Sequence, residues 1–309
     1  MTLYDKATTL AVRYLPRNQF DELRQRYFAL RTKLSPVLRA IYGSFDSATL
    51  SAHLGQRLGR DFEILMVHSS VNHMQPMYDD NPLQFVQMLR DFCGPDRTLV
   101  MPAFYFGDPD FGGPSATFER NPRFDLRRTP SQMGLATEIF RRMKDVRQSR
   151  HPIYRISALG PLAEALTTGH ETAERACGRG SPFDVMTTHD TMIVGIGKPF
   201  EVLTHIHHIE DLMGEEFPVP MTVGSDLAMT LIDGQEEIPF TLRRAGFRWK
   251  RNMWKLRKIM GRDRLREWRF HHVRLFATKA RDVTETLKDA AKRGVTLYER
   301  PGSARWTAG

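Results

Sequence analysis

The chain has 309 residues, of which 41% are hydrophobic and 26% charged, a composition typical of a globular protein with one large domain or two smaller ones. No segment approaches the ~18 consecutive apolar residues of a membrane span, which excludes an integral membrane protein. Residues 1–17 are interrupted by charges and lack the apolar core of a signal peptide. Two cysteines, Cys93 and Cys177, cannot form a disulfide framework, so we expect a reduced, cytoplasmic protein with both thiols buried.

The formal net charge of +9 is unevenly distributed along the chain. Residues 243–274 contain thirteen lysines and arginines but only two acids, Asp263 and Glu267, so this segment carries +11 and the rest of the chain −2. The sequence therefore predicts a nearly neutral body and one strongly basic C-terminal region. We expect this region to be an insertion or subdomain at about residues 238–270.

The N-terminal residues 1–44 are predicted to form a helical extension to a domain that covers residues 45–309. Within the extension, Leu38 and Ile41 recur at helical spacing and are expected to face inward. A further short helix is expected to begin at Ser47.

Strand-like and helix-like patterns alternate after residue 60. Short apolar runs predict strands at residues 64–67, 98–104, 154–159 and 191–196, and helical spacing predicts helices at 83–92, after Ser131, which can cap its helix, and at 204–213. This alternation indicates an α/β sandwich. A long polar loop is expected from residue 107 to about 128, and loops of that length in compact domains are usually functional or disordered.

The densest group of chemically active residues lies at the start of the last predicted helix, in the segment Thr204-His205-Ile206-His207-His208-Ile209-Glu210-Asp211. Residues three apart share a helix face, so Thr204, His207 and Glu210 form one polar stripe. A carboxylate that binds one imidazole nitrogen leaves the other nitrogen free to act as a base. The alternative is a helix start with a few solvated histidines.

Metal binding is a second interpretation of the same segment, because His205, His207 and Asp211 are all possible ligands. The segment matches the two-metal hydrolase pattern His-x-His-x-Asp-His only loosely, since Ile209 occupies the position of the required Asp. The sequence therefore favours the interpretation without a bound metal ion.

Three further groups could contact an anionic ligand. His68-Ser69-Ser70 follows a predicted strand, and ligands of open α/β sheets bind at that edge. Arg128-Thr129-Pro130-Ser131 offers a basic residue and free amides at a predicted helix start. Additional donors precede the next strand at Arg147, Ser149, Arg150 and His151. Each group alone is also compatible with an ordinary strand exit or helix cap.

Taken together, these motifs resemble the aminoglycoside 3-N-acetyltransferase family. Order and spacing agree across about residues 47–215, roughly half the chain. Two positions depart from the family pattern: Leu203 replaces an Asn, and Cys177 replaces a Phe. The matching residues are His68-Ser69-Ser70, residues 94–104, Arg128-Thr129-Pro130-Ser131-Gln132-Met133-Gly134, Arg147-x-Ser149-x-His151-Pro152, Leu159-Gly160-Pro161, Gly169-His170-Glu171, Gly180-Ser181-Pro182-Phe183 and Thr204-x-x-His207-x-x-Glu210.

The resemblance implies a three-layer α/β/α sandwich with a mixed central sheet, acetyl-CoA as the donor and direct transfer to an amine. It also implies that His207 is the general base and Glu210 its orienting partner, with Thr204 completing the catalytic set. The residues that it implies for coenzyme binding are His68, Ser69, Ser70, Arg128, Thr129, Ser131, Met133, Arg147, Ser149 and His151. Backbone amides near Ser69 or Ser70 are expected to stabilise the oxyanion.

Charge suggests which amine is acetylated. Aminoglycosides are polycations that a basic protein repels, whereas the region at 243–274 favours an anionic acceptor. We therefore expect an amino sugar of surface-polysaccharide or sugar-nucleotide biosynthesis, and resistance-type aminoglycoside acetylation is the alternative. A hydroxyl acceptor stays open, since the same base could serve it.

A non-enzymatic role is also open, because Trp249, Trp254 and Trp268 alternate with basic residues. Such a face could associate with an anionic membrane surface, for example to reach a lipid-linked sugar, or less readily with nucleic acid. The plainer interpretation is a solvated pair of basic helices packed through the tryptophans. The oligomeric state does not follow from the sequence.

Overall fold

The computed structural model describes residues 17–247 and 249–300. Its helices are α1 (Arg17–Lys33), α2 (Ser35–Tyr42), α3 (Ser47–Leu58), α4 (Val71–Met74), α5 (Pro82–Cys93), α6 (Pro114–Arg120), α7 (Leu135–Arg141), α8 (Ala163–Thr167), α9 (Pro182–Thr188), α10 (Ile206–Met213), α11 (Trp254–Arg264) and α12 (Ala280–Lys292). Short 3-10 turns occur at Pro109–Phe111, His170–Thr172, Phe200–Val202 and Gly214–Glu216.

The strands are β1 (Ile64–Ser69), β2 (Thr98–Pro102), β3 (Arg123–Asp125), β4 (Arg147–Gln148), β5 (Ile156–Leu159), β6 (Thr191–Ile196), β7 (Met221–Val223), β8 (Leu227–Asp233), β9 (Glu236–Leu242), β10 (Ala245–Phe247), β11 (Lys250–Arg251), β12 (Arg266–Phe270), β13 (Val273–Lys279) and β14 (Tyr298–Glu299). Seven of them form the central sheet in the order β12-β13-β6-β1-β2-β5-β4. Its three inner strands, β6, β1 and β2, are parallel, and the outer pairs are antiparallel.

The central sheet is buried on both faces. Leu65 and Val67 of β1 pack in one core with α3, α5 and α7, while Ile64 and Met66 pack in the other with α8 to α12. This alternation explains the continuous apolar run of β1, because a strand covered on both faces needs no polar residues. The arrangement confirms the predicted three-layer sandwich with a mixed sheet.

A small second sheet, of order β3-β8-β9, has a core of its own around Phe118, Phe124 and Leu231. It corrects the prediction of an unstructured loop at residues 107–128. That segment contains α6 and β3, and β3 pairs with β8 about one hundred residues later in the chain. A strand of three residues stabilised by so distant a partner leaves no periodic pattern in its own sequence.

The basic region differs from the predicted helix pair. Among its described residues α11 is the one helix, and residues 266–270 form β12, the edge strand of the central sheet. The tryptophans pack inward: the Trp268 indole donates to His53 (2.9 Å), Trp254 contacts Phe200 edge to face, and Trp249 packs near Phe217.

Helices α1 and α2 lie at the N-terminal end, where the sequence predicts a helical extension over residues 1–44, and residues 1–16 of that prediction lie outside the described residues. Leu38 packs against the core as expected, but Ile41 is 65% exposed, so that part of the prediction is wrong. Across the described part of the chain, no helix combines the length and apolar character needed to cross a bilayer.

Candidate active site

Three neighbouring histidines at the start of α10 point in different directions, two into the core and one towards solvent. The His207 amide donates to the Thr204 carbonyl (3.1 Å), which forms the first helical turn. His205 and His208 are fully buried, whereas the His207 side chain is 23% exposed. Helical geometry therefore presents a single imidazole of this cluster to a ligand.

His207 is held by a carboxylate one turn later. Its Nδ1 lies 3.0 Å from Oε2 of Glu210, whose side chain is only 5% exposed. When Nδ1 carries the proton and donates to Glu210, Nε2 is left with its lone pair and can accept a proton from a substrate. The ring also lies 5.7 Å from that of the partly buried Tyr154.

Two residues that the sequence did not single out also bind Glu210. Nη2 of Arg251 donates to both carboxylate oxygens (2.8 and 2.7 Å), and the Tyr298 hydroxyl donates to Oε1 (2.8 Å). Burial raises the pKa of Glu210, but the hydrogen bond from His207 and the positive charge of Arg251 outweigh burial and leave that pKa below its usual value. Glu210 is therefore ionised at neutral pH.

The other two histidines each bond through one ring nitrogen within the core, and their second nitrogens, His205 Nδ1 and His208 Nε2, find no hydrogen-bond partner among the described residues. Nδ1 of His208 donates to the Cys177 carbonyl (2.6 Å), and Nε2 of His205 lies 3.1 Å from the Thr187 hydroxyl and 3.2 Å from that of Thr284. Burial lowers the pKa of both rings, that of His205 well below its ordinary value. Both are therefore neutral at physiological pH.

His68 joins the carboxyl edge of the sheet to α10. Its Nε2 lies 3.5 Å from the Thr204 hydroxyl, at the limit of a hydrogen bond, and burial lowers the pKa of His68 to about 3. Its Nδ1 is buried and finds no partner among the described residues. A buried polar atom left in this way at the carboxyl end of a parallel strand is compatible with a bound ligand nearby.

The turn beside His68 is closely packed. Gly197, at φ +68°, follows β6, and a Cβ there would lie 2.5 Å from the Ser70 carbonyl oxygen, so only glycine fits. The Ser70 amide donates to the Ile196 carbonyl (2.9 Å). The expected oxyanion role therefore does not fit the Ser70 amide, because this amide is already bound.

The segment 128–133 lies against the loop that follows β2. Gln132 binds that loop twice, through its amide to the Phe104 carbonyl (3.0 Å) and through its side chain to the Gly107 carbonyl (2.9 Å). Met133 packs against the core that contains α10, whereas the Arg128 side chain is 92% exposed. The structure thus brings Met133 to the core beside α10 and leaves Arg128 in solvent.

Ser131 does not cap the next helix as predicted. Helix α7 begins three residues later than expected, after Gly134, and its cap position makes no side-chain hydrogen bond. The Ser131 hydroxyl accepts from the Met133 amide (3.1 Å), and the Ser131 amide donates to Glu138 (2.8 Å). The Thr129 carbonyl accepts from the buried Arg155 (3.0 Å).

Arg147, Ser149 and His151 occupy different environments. Arg147 is exposed and pairs with Glu164 at 3.4 Å. Ser149 is fully buried and accepts from the Ile156 amide (3.0 Å), and His151 is 4% exposed with Nδ1 accepting from the Ile153 and Tyr154 amides. These bonds brace the start of β5 from inside, so contact of Ser149 or His151 with a coenzyme stays a prediction.

Neither metal nor thiol chemistry finds support in the described residues. Across 17–247 and 249–300, no three His, Cys, Asp or Glu side chains are grouped closely enough to hold a metal ion. Cys93 and Cys177 are buried free thiols, as expected, and burial raises the pKa of both, to about 12 for Cys93. A thiolate nucleophile is therefore disfavoured.

Comparison with known proteins places this site in context. The family model for aminoglycoside 3-N-acetyltransferase matches residues 66–291. An aminoglycoside N(3)-acetyltransferase III from Serratia marcescens is 30% identical over 57% of this chain and 66% of its own length. One from Pseudomonas aeruginosa is 30% identical over 52% of this chain and 60% of its length. The chain thus spans less than two thirds of the length of each of these two curated relatives.

Solved structures share the fold. Aminoglycoside acetyltransferase AAC(3)-Xa superposes with a TM-score of 0.70 at 20% identity, over 86% of this chain and 99% of the other. AAC-IIIb in a binary complex with CoASH gives 0.64 at 19% identity, over 83% and 99%. AAC-VIa bound to sisomicin gives 0.63 at 21% identity, over 79% and 96%. Because the family model matches residues 66–291, which are most of this chain, the chain belongs to the aminoglycoside 3-N-acetyltransferase family.

Proposed function

We propose that this chain transfers the acetyl group of acetyl-CoA to an amino group of an aminoglycoside, with His207 as the general base. The observation that carries the proposal is the 3.0 Å contact between His207 Nδ1 and Glu210, which leaves Nε2 of a partly exposed imidazole free. Membership of the family supports acetyl-CoA as the donor and an aminoglycoside as the class of acceptor.

The residues of the chain account for the protons of this reaction. Bound acetyl-CoA supplies an activated acetyl carbonyl. Nε2 of His207 accepts the proton of the amine as the amine nitrogen bonds to that carbonyl carbon, and it returns the proton to sulfur as the carbon–sulfur bond breaks. The ionised Glu210 stabilises the imidazolium in between. The products are an N-acetyl amine and the free thiol.

The proposed coenzyme site lies at the carboxyl edge of the parallel strands. Ser69 ends β1 there and Ser70 follows it, and Met133 packs against the core that contains α10. His68 lies buried next to this edge, with its Nε2 3.5 Å from the Thr204 hydroxyl. These residues fit a long polar and apolar chain such as pantetheine, whereas the exposed side chains of Arg128 and Arg147 fit it less well.

Internal ion pairs reduce the electrostatic objection to a polycationic acceptor. The sequence suggested a bare basic surface at residues 243–274, but Arg243, Arg244 and Arg251 pair with Glu174, Glu119 and Glu210. These acids come from outside the segment, so its effective charge is lower than +11. We therefore rank an aminoglycoside above the anionic amino sugar as acceptor.

An acceptor assay tests the proposal. Purified protein is incubated with acetyl-CoA and, separately, gentamicin, sisomicin or a UDP-linked amino sugar, and release of free thiol is followed. We expect turnover with the aminoglycosides, acetylation at the 3-amino group by NMR, and no turnover in the variant His207→Gln. Turnover of the UDP-linked amino sugar alone would reverse the ranking. The cytoplasmic location stays a prediction.

A further inference from the structure

A short ladder at the C-terminal end delivers two side chains to one carboxylate. Strands β11 and β14 are antiparallel, and Arg251 stands directly opposite Tyr298 in their register. Both side chains reach Glu210, and Arg251 also contacts the Tyr298 hydroxyl through Nη2 (2.5 Å). The ladder thus connects a distant part of the chain to the helix that carries His207.

The hydrogen bonds use the full acceptor capacity of Glu210. Oε1 accepts from Arg251 and Tyr298, and Oε2 accepts from Arg251 and His207. An ionised carboxylate has about four lone-pair sites, so none is left for another partner. A buried carboxylate bound in this way has one orientation, and the His207 ring bound to it inherits that orientation.

We propose that Arg251 and Tyr298 are positioning residues of the catalytic base: Tyr298 fixes the rotamer of Glu210, and Arg251 both fixes it and offsets its negative charge. The proposal rests on the proposed function only for its kinetic consequences. The bonding pattern itself is independent of the acceptor.

Arg251 has an electrostatic effect on His207 that Tyr298 lacks. Its Nη2 lies 3.4 Å from His207 Nδ1, so its positive charge disfavours a second positive charge on the ring. The hydroxyl of Tyr298 is uncharged, because burial raises its pKa. Removing Arg251 should therefore favour the imidazolium, while removing the Tyr298 hydroxyl should only loosen Glu210.

Other ionisable groups near this ring come from several elements. Asp211 lies on α10 itself, and burial raises its pKa. The Tyr154 ring faces His207 from the segment before β5, and burial raises the pKa of its hydroxyl, as it does that of the nearby Cys177 thiol. The charged and titratable groups near His207 and Glu210 are Asp211, Tyr154, Cys177, Arg175, Arg251 and Tyr298.

The ladder is itself anchored. The Asn252 amide donates to the Leu297 carbonyl (2.7 Å), its side chain donates to Glu299 (2.6 Å), and Lys255 donates to the Tyr298 carbonyl (2.9 Å). Tyr298 lies beyond residue 291, where the match to the family model ends. The base of this enzyme is therefore completed by a segment outside the matched region.

The test compares pH–rate profiles of Arg251→Met, Arg251→Lys and the control Lys250→Met. Lys250 is the exposed strand neighbour of Arg251, so the control removes the same charge from the opposite side of the strand. We expect Arg251→Met to move the acidic limb of kcat up by about one pH unit, with about tenfold lower kcat below that limb. Arg251→Lys and Lys250→Met should keep the wild-type limb. Equal limbs in Arg251→Met and Lys250→Met would overturn the inference.

Tyr298→Phe tests the second half, with Tyr78→Phe as control, since the Tyr78 hydroxyl bonds to Ser47 (2.7 Å) in the core on the other face of the sheet. We expect a loss of roughly three- to tenfold in kcat for Tyr298→Phe, the worth of one hydrogen bond, at an unchanged limb. A shift of the limb, or an equal loss in the control, would contradict the assigned role.

A measurement without substrate separates this inference from the proposed function. Long-range 1H–15N spectra report which ring nitrogen of His207 carries the proton, with the signal assigned through His207→Gln. We expect protonated Nδ1 in the wild type, and imidazolium persisting to higher pH in Arg251→Met. That result in a protein that shows no acetyl transfer would support the positioning role of Arg251 and contradict the proposed activity. Identical ring spectra in wild type and Arg251→Met would contradict the positioning role of Arg251.

Discussion

The two sides of helix α10 use the same residue type for different purposes. On one side, the partly exposed His207 binds the ionised Glu210. On the other, His205 and His208 are fully buried and bind hydroxyl groups and a backbone carbonyl. His207, partly exposed and bonded to an ionised carboxylate, is suited to proton transfer. His205 and His208 are buried, and the nearest carboxylate to His208, that of Asp184, is 4.0 Å away, so these rings are suited to hold the helix in place.

The strongest test of this contrast removes the imidazole on the open side. His207→Gln should lose about 10²- to 10⁴-fold in kcat, the usual contribution of a general base, at an unchanged melting temperature. The matched control is His189→Gln, because His189 is also partly exposed and pairs with a carboxylate, Glu63. Thiol release at saturating acetyl-CoA measures both. A rate for His207→Gln within tenfold of the control would show that another group is the base.

Removing a histidine on the buried side of α10 should lower the stability of the protein and leave kcat unchanged. His208→Ala removes the donor of the buried Cys177 carbonyl, and an unsatisfied buried acceptor costs about 1–3 kcal/mol of unfolding free energy. Urea denaturation measures this loss, and kcat per folded molecule should stay unchanged. The contrast between the two sides breaks down if kcat falls while stability is retained.

A smaller effect should appear in the pH dependence of stability. Burial lowers the folded-state pKa of His208 below the ordinary value of 6.5. The unfolded chain then binds more protons than the folded one below pH 6.5, so stability should fall as the pH falls through this range. In His208→Gln, which keeps a donor for the carbonyl, that fall should be shallower. Equal slopes between pH 7 and 5 would argue that His208 is solvated in the folded protein.

Local periodicity predicted much of what is observed around α10. The buried runs at β1 and β6, the helix at 206–213 and its polar stripe all follow from spacing within a few residues. Such patterns are readable because neighbours along the chain determine the face of a helix or strand. The contact between His207 and Glu210 needs nothing beyond one helical turn.

Arg251 and Tyr298 show what local patterns omit. Arg251 is one of thirteen basic residues in its segment, and Tyr298 is 88 residues from the carboxylate that it binds. Their relation to Glu210 depends on pairing between β11 and β14, which only the folded chain brings together. The same limit explains the overestimate of the basic surface, since the acids that pair with Arg243 and Arg244 lie far away in sequence.

A crystal structure with coenzyme A bound tests the central claim most directly. If His207 is the base, its Nε2 and the thiol sulfur should face each other across a gap that one amine nitrogen fills, with each contact at about 3–3.5 Å. A different cavity, of about 260 Å³, is lined by Lys198, Trp254 and Arg274. A thiol that ends in that cavity, with His207 facing neither coenzyme nor acceptor, would contradict the account.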